Sequence, residues 1–334
     1  MALNDYTKFN DVAVNGSVQR PALVSSIKEA LDKNGNTYVK VTLRDGFTDI
    51  SAMMFKTDKV ILEEQGIVEG GIADVTVSVS EYNGGKSYRL DRVAPCSDHD
   101  LTVADFIKAP PVGIDKMYDE ICEIISKYEN DEDGKYISIA ELTLTMLKKN
   151  KQNYITSSAA VSMHHNMKGG LLYHSYRMVK SAEALCGVYD ILNPELMVCG
   201  AALHDIGKIW EYSTNSVGEA EFQKAGILMG HAYIGASIIK SYVTLLEKSN
   251  PNKKCNIEKV QLLVHMILSH HGTHEFGAVV CPATAEAFAL HFIDNIDAKL
   301  YVCEENYSVL DSGSITDKRP FGLDNRIYKP NFIN

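Results

Sequence analysis

Val39, Val41 and Leu43 alternate with Tyr38, Lys40 and Thr42, the two-residue period of a strand with one buried face. Similar runs recur between Pro21 and Pro95: ALVSSIKEA, TDISAMMF, ADVTVSVSEY and KSYRLDRVA, which with TYVKVTLRD make five predicted strands. Turn signals at Asn34-Gly35-Asn36, Asp45-Gly46 and Asn83-Gly84-Gly85 close the hairpins. Thr57 to Gln65 has helical potential and falls between the third and fourth strands. Three strands, a helix and two strands is the order of an OB-fold, a partly open barrel whose face often binds oligonucleotides.

After Pro95 the period changes. Leu101 to Ala109 reads as a short helix stopped by Pro110-Pro111, and Ile121, Ile124, Ile125 and Tyr128 recur at helical spacing further on. The expected architecture is α+β and multidomain, a five-stranded OB-fold barrel followed by an all-α domain. Its expected parts are an N-terminal extension (1–17), the barrel (18–96), a linker and helical segment (97–158), a helical catalytic domain (159–310) and a C-terminal tail (311–334). The acidic run from Glu129 to Gly134 lacks the spaced ligands of a calcium loop and reads as a solvated turn.

A chain of 334 residues, 45% hydrophobic and 23% charged, has ordinary globular composition and room for two cores. No apolar run is long enough to span a bilayer, and the opening MALNDYTKFNDV has no basic or apolar targeting pattern, so a cytoplasmic location and no membrane partner are expected. Seven scattered cysteines without a C-x-x-C pair argue against a disulfide frame or a thiolate zinc site. The net charge of -10 gives no bulk attraction for a polyanion, and residues 18–95 balance ten basic against eleven acidic side chains. Any nucleic-acid contact must therefore be local. Tyr38, Lys40, Tyr82, Lys86, Tyr88 and Arg89 are the candidates, since aromatic rings stack on unpaired bases at roughly 1–3 kcal/mol each while cations hold phosphates. The same residues are equally ordinary in sheets.

Histidine changes the picture most: ten of the 11 lie between residues 164 and 291. In Ala201-Ala202-Leu203-His204-Asp205-Ile206-Gly207-Lys208 an imidazole and a carboxylate sit side by side within an apolar, helix-prone run. Burying both is costly unless something compensates them, and a divalent cation does so. Lys208, on the same helical side, suits a phosphate oxygen. One His-Asp pair is a weak motif, and a carboxylate that merely orients an imidazole is the plainer account. His174 in GGLLYHSYRMV, His231 in MGHAYIGASII, His270 and His271 in ILSHHGTHEFG, and Asp294 in LHFIDNIDAKL add weight, because each lies in an apolar or helical context.

The order His, His-Asp, His, His-His, Asp resembles that of the HD phosphohydrolase superfamily. The phrases around it, with GHAYIGASII, HFIDNIDAKL and the terminal NRIYKPNF, resemble the YhaM family of bacterial 3′-5′ exoribonucleases, which carry an OB-type domain ahead of the HD domain. That resemblance implies a first metal on His174, His204, Asp205 and Asp294, and a second on His231, His270 and His271 with Asp205 bridging. It also implies two divalent ions that clamp a phosphodiester and activate a water, with Asp205 and Lys208 as catalytic groups. Asp297 would orient a ligand from behind. By position alone, His165 shortly before Gly169-Gly170 and His274 just after the His270-His271 pair are candidates to touch substrate at the rim, with an ordinary core or surface role as the plainer account. An all-N/O donor set suits Mn²⁺ first, with Fe, Co or Ni as alternatives. The implied substrate is single-stranded RNA, or DNA; the alternative is a phosphohydrolase of nucleotides or cyclic oligonucleotide signals. An end-selective nuclease also has use for neighbouring subunits, which leaves room for a homo-oligomer.

Overall fold

In the computed structural model, residues 3–32, 35–82, 85–107, 110–130, 135–159, 167–215 and 220–333 are described. His164 and His165, Asn34, Asn83 and Gly84 of two expected turns, and most of the acidic turn lie outside the described residues. The chain forms two compact units, Met1–Ala109 and Pro110–Asn334.

In the first unit, strands β1 (Ser17–Leu31), β2 (Thr37–Arg44), β3 (Asp49–Phe55), β4 (Ile72–Tyr82) and β5 (Gly85–Pro95) close in the order β1-β2-β3-β5-β4, with helix α1 (Lys59–Glu64) between β3 and β4. This is the OB-fold order. The alternation in β2 does what its period requires: Val39, Val41 and Leu43 are at most 1% exposed. Strand β1 serves two neighbours, pairing with β4 over Ser17–Leu23 and with β2 over Leu23–Leu31, with a bulge between Val24 and Ser26. It starts before Pro21, which sits opposite Asp74 where the strand has a single neighbour and a missing N–H is tolerated.

Residues ahead of β1, expected as an extension, enter the barrel core through Phe9 and Val12. A buried ion pair holds them there. Arg20 Nη1 lies 3.1 Å from Asp45 Oδ2 and donates to the Thr7 carbonyl at 2.9 Å. Asp45 also accepts from the backbone N–H groups of Phe9, Phe47 and Thr48.

The second unit is helical: α2 (Ile114–Ser126), α3 (Ile139–Lys149), α4 (Lys151–Thr156), α5 (Gly170–Cys186), α6 (Pro194–Leu203), α7 (Lys208–Glu211), α8 (Lys224–Ser249), α9 (Ile257–Ser269) and α10 (Ala285–Tyr307). Two small ribbons join them, β6 (Tyr136–Ile137) with β9 (Lys254–Cys255) and β7 (Tyr212–Thr214) with β8 (Ala220–Phe222). Helices α2 to α4, within the expected linker and helical segment, contribute Met117, Ile121, Met146 and Tyr154 to this unit's core. Helix α6 is buried from Glu195 to Leu203, as expected of a helix apolar all round. Asn193 caps its start and Pro194 takes the first position. The central helix therefore ends by delivering His204 and Asp205 into the interior. After α10 the tail folds back, with Lys329 Nζ donating to the carbonyls of Tyr307 and Leu310. Among the described residues no helix is long and apolar enough to cross a membrane.

Candidate metal centre

Five segments converge in the second unit: α5 brings His174, the α6–α7 turn His204 and Asp205, α8 His231, the end of α9 His270 and His271, and α10 Asp294. Two groups form. Donor atoms of His174, His204 and Asp294 lie within 4.8 Å of one another, as do those of His231, His270 and His271. Asp205 stands between the groups. Its Oδ2 is 3.4 Å from His204 Nε2 and 3.8 Å from His174 Nε2. Its Oδ1 is 3.4 Å from His231 Nε2 and 3.8 Å from His270 Nε2. Each oxygen thus faces one group.

The tautomers follow from the acceptors behind the rings. Nδ1 of His174 donates to Asp297 at 2.7 Å, that of His204 to the Ala201 carbonyl at 2.9 Å, that of His231 to Glu211 at 2.9 Å and that of His270 to the Ile267 carbonyl at 2.7 Å. With the rings neutral, as ligands must be, four Nε2 lone pairs point inward. His174 Nε2 and His204 Nε2 are 3.1 Å apart. Asp205 Oδ1, His231 Nε2, His270 Nε2 and His271 Nδ1 are buried and have no hydrogen-bond partner among the described residues. Buried orphan acceptors are costly, and divalent cations among imidazole and carboxylate donors satisfy them. The residues present fit such ions.

Charge runs the same way. Burial opposes ionisation of Asp205, yet Lys208 Nζ at 2.7 Å, with His204 and His231, holds its carboxyl well below the usual range. Asp294 is likewise held low against burial by His174 and His204. Burial and the adjacent His271 push His270 well down, and burial with His231 lowers His271, so both are neutral ligands-in-waiting. His174 is the exception: burial disfavours its charge, but Asp294 and Asp297 outweigh that and push it up to about 10. A proton on Nε2, 3.3 Å from Asp294, stands in for a cation there.

Two supporting residues escaped the sequence reading. Glu211 accepts from both the backbone N–H of His231 (3.0 Å) and its ring. Arg177 Nε, 2.5 Å from Asp297, fixes the carboxylate behind His174. Arg177 lies in the apolar run around His174 and Glu211 three residues after Lys208, and the available signal was an ionisable side chain next to a candidate ligand segment. Gly207 lets α8 approach so closely that a Cβ there would meet the His231 carbonyl. His291 donates to the His270 carbonyl at 2.8 Å. His274 is exposed and its Nδ1 closes a turn onto the Ala278 carbonyl at 2.9 Å.

The barrel candidates divide. Tyr38 and Lys40 lie opposite Phe55 and Met53, and Met53 lies opposite Arg89, so these share the outer face. The Tyr38 and Phe55 rings stack at 5.4 Å. Arg89 pairs with Asp91 at 2.6 Å, Lys86 donates to the Asn10 carbonyl at 2.6 Å, and Tyr82 is 70% exposed near the hairpin tip. Tyr88 departs from the expectation of a surface stacking residue. Its register partners Ala52 and Val79 are buried, its ring packs against the barrel core, and burial raises its hydroxyl pKa.

Fold and centre together define an HD-domain protein with an OB-type barrel ahead of it. The HD domain family model matches residues 171–299. The chain is 31% identical over 324 residues to the 3′-5′ exoribonuclease YhaM of Bacillus subtilis (strain 168), covering 96% of each. It belongs to the YhaM family. Among solved structures, the second OB-fold domain of replication protein A from Methanococcus maripaludis is 21% identical, covering 28% of this chain and 95% of that one at a TM-score of 0.22. A putative aspartyl-tRNA synthetase from Leishmania major Friedlin is 14% identical, covering 45% and 32% at the same score. Scores that low carry no fold argument; the strand order does.

Proposed function

We propose that the chain is a metal-dependent 3′-5′ exonuclease that hydrolyses phosphodiester bonds of single-stranded RNA, with DNA as a further substrate. The observation that carries this reading is Asp205, whose two oxygens face two separate histidine groups. His174, His204, Asp205 and Asp294 would hold one divalent cation, and Asp205, His231, His270 and His271 a second, with Mn²⁺ the first choice. Such ions polarise a phosphate and acidify the attacking water when bound.

The chain's own residues do the rest. Asp297 and Glu211 fix the ring orientation and tautomer of His174 and His231. Lys208, 13% exposed, keeps its ammonium at the edge of the group, where it meets negative charge building on the phosphate in the transition state. On the barrel, Tyr38, Phe55 and Lys40 offer a stacking pair beside a cation for an unpaired strand. Acidic overall charge makes such a local grip necessary.

The test is a 5′-labelled single-stranded RNA incubated with the purified protein and Mn²⁺. A ladder shortening from the 3′ end is expected, abolished in Asp205→Ala together with most of the bound metal. An intact strand under conditions where nucleotides or cyclic dinucleotides are consumed overturns the strand-degrading reading. Full activity and metal content in Asp205→Ala overturns the site.

A further inference from the structure

Helix α10 has two apolar faces. One is buried in the core through Ala287, Leu290, Ile293 and Tyr301. On the other, Phe288, Phe292, Ile296 and Leu300 follow at four-residue intervals and remain 49%, 59%, 54% and 51% exposed. Four-residue spacing makes the ridge that one helix offers to another. A solvated helix face normally carries charge. From 288 to 300 the charged residues are Asp294 and Asp297, both turned to the metal centre, and Lys299, which donates to the Gly322 carbonyl.

We propose that this ridge packs against its own copy, joining two chains as a two-fold dimer through antiparallel α10 helices. The ridge is graded along its length in a way that matches itself reversed. Its first half carries two phenylalanine rings; its second half carries Ile296 and Leu300, beside a cavity of about 240 Å³ that Arg177, Lys180, Ser181 and Asp297 also line. Antiparallel contact lays the ring-bearing half of each copy over the cavity-bearing half of the other, twice, as a two-fold interface demands.

The area is of the right order. Side chains of this size carry on the order of 200 Å² each, so half exposure of four leaves roughly 400 Å² per copy. Two copies then bury roughly 800 Å² from the ridge alone, the larger part of the ~1,200 Å² at which specific interfaces begin. Asp297 ties this face to the proposed activity without resting on it: one side of its carboxylate holds His174, and the cavity that the second copy would cover lies on another.

Sedimentation of the full chain across micromolar concentrations reads the association. The wild type is expected to be a dimer, and Phe292→Glu and Ile296→Arg each to weaken self-association by at least about thirtyfold. Both positions are half-exposed, so circular dichroism and metal content should stay unchanged. In antiparallel register, position 292 of one copy meets 296 of the other, so mixing the two variants should restore dimers. A wild type that stays monomeric overturns the proposal, as does a dimer indifferent to Phe292→Glu. A mixture that fails to associate overturns the antiparallel packing. A monomer that loses melting temperature on Phe292→Glu shows the ridge covered within one chain, and also refutes it.

Discussion

Adding a single methyl at Gly207 should dismantle one half of the metal centre and leave the other. Gly207 has φ -62° and ψ -21°, an ordinary helical conformation, so alanine meets no backbone penalty there and helix propensity favours it by up to about 1 kcal/mol. The obstacle is contact. A Cβ would lie 2.0 Å from the His231 carbonyl oxygen, 2.8 Å from its carbon and 2.9 Å from the Gly235 nitrogen, all backbone atoms of α8. Relieving this requires α8 to retreat by roughly 1 Å or more, since carbon contacts settle near 3.5–4 Å. His231 moves with it, whereas metal–ligand distances tolerate only about 0.2 Å. Overpacking of this kind costs roughly 1–3 kcal/mol, so Gly207→Ala should stay folded with a lowered melting temperature. Metal analysis should find the second group emptied while His174, His204 and Asp294 still retain an ion. Wild-type metal stoichiometry together with an unchanged melting curve would refute the claim that this close approach sets the position of His231.

Three further outcomes follow from the same geometry. Glu211→Gln leaves the His231 backbone N–H and ring with one acceptor oxygen in place of two, and calorimetric titration should show about 10–100-fold weaker binding at the second group only. In the metal-free protein His174 is pushed up to about 10 from its ordinary 6.5. Its contribution to stability is therefore complete below the unfolded value and is lost as pH rises towards 10. A cation must displace that proton, so affinity at the first group should rise about tenfold per pH unit in this window, with proton release on binding detectable in weakly buffered solution. Asp45→Ala strands the fully buried Arg20 guanidinium and should cost about 3–5 kcal/mol by denaturant unfolding of the barrel, with metal content unchanged.

The barrel was legible where burial follows a local period. Val39, Val41 and Leu43 announce an inner face, and the glycine-bearing turns set the strand count. Phe9 and Val12 gave no such signal, because isolated apolar residues in a polar stretch are buried only by a partner elsewhere, here the Arg20–Asp45 pair. Tyr88 was misplaced although the information was present: it stands two residues before Leu90, which is 2% exposed, and a strand turns both to the same side. The later part of β5 obscured this, since the register shift between Thr76 and Val77 of β4 leaves two successive outward residues, Asp91 and Arg92, on the partner strand. Pattern reading fails at a bulge because the bulge changes parity without changing composition.

The metal centre shows a related division between what the chain decides locally and what it decides by folding. His204 and His270 terminate α6 and α9, and helix ends leave carbonyls without partners. Each ring turns back to the carbonyl three residues earlier, and that one bond caps the helix and frees Nε2 for the interior. No other residue is needed to set those tautomers. His174 lies inside α5, where the carbonyls are already engaged, and His231 follows a break in α8 at Gly230, where φ is 70° and a backbone N–H is left over. These two require a carboxylate from a different segment, and each receives one, Asp297 from α10 and Glu211 from α7. Losing either carboxylate should therefore release a ring, whereas at His204 and His270 the main chain supplies the acceptor and no side-chain substitution can remove it.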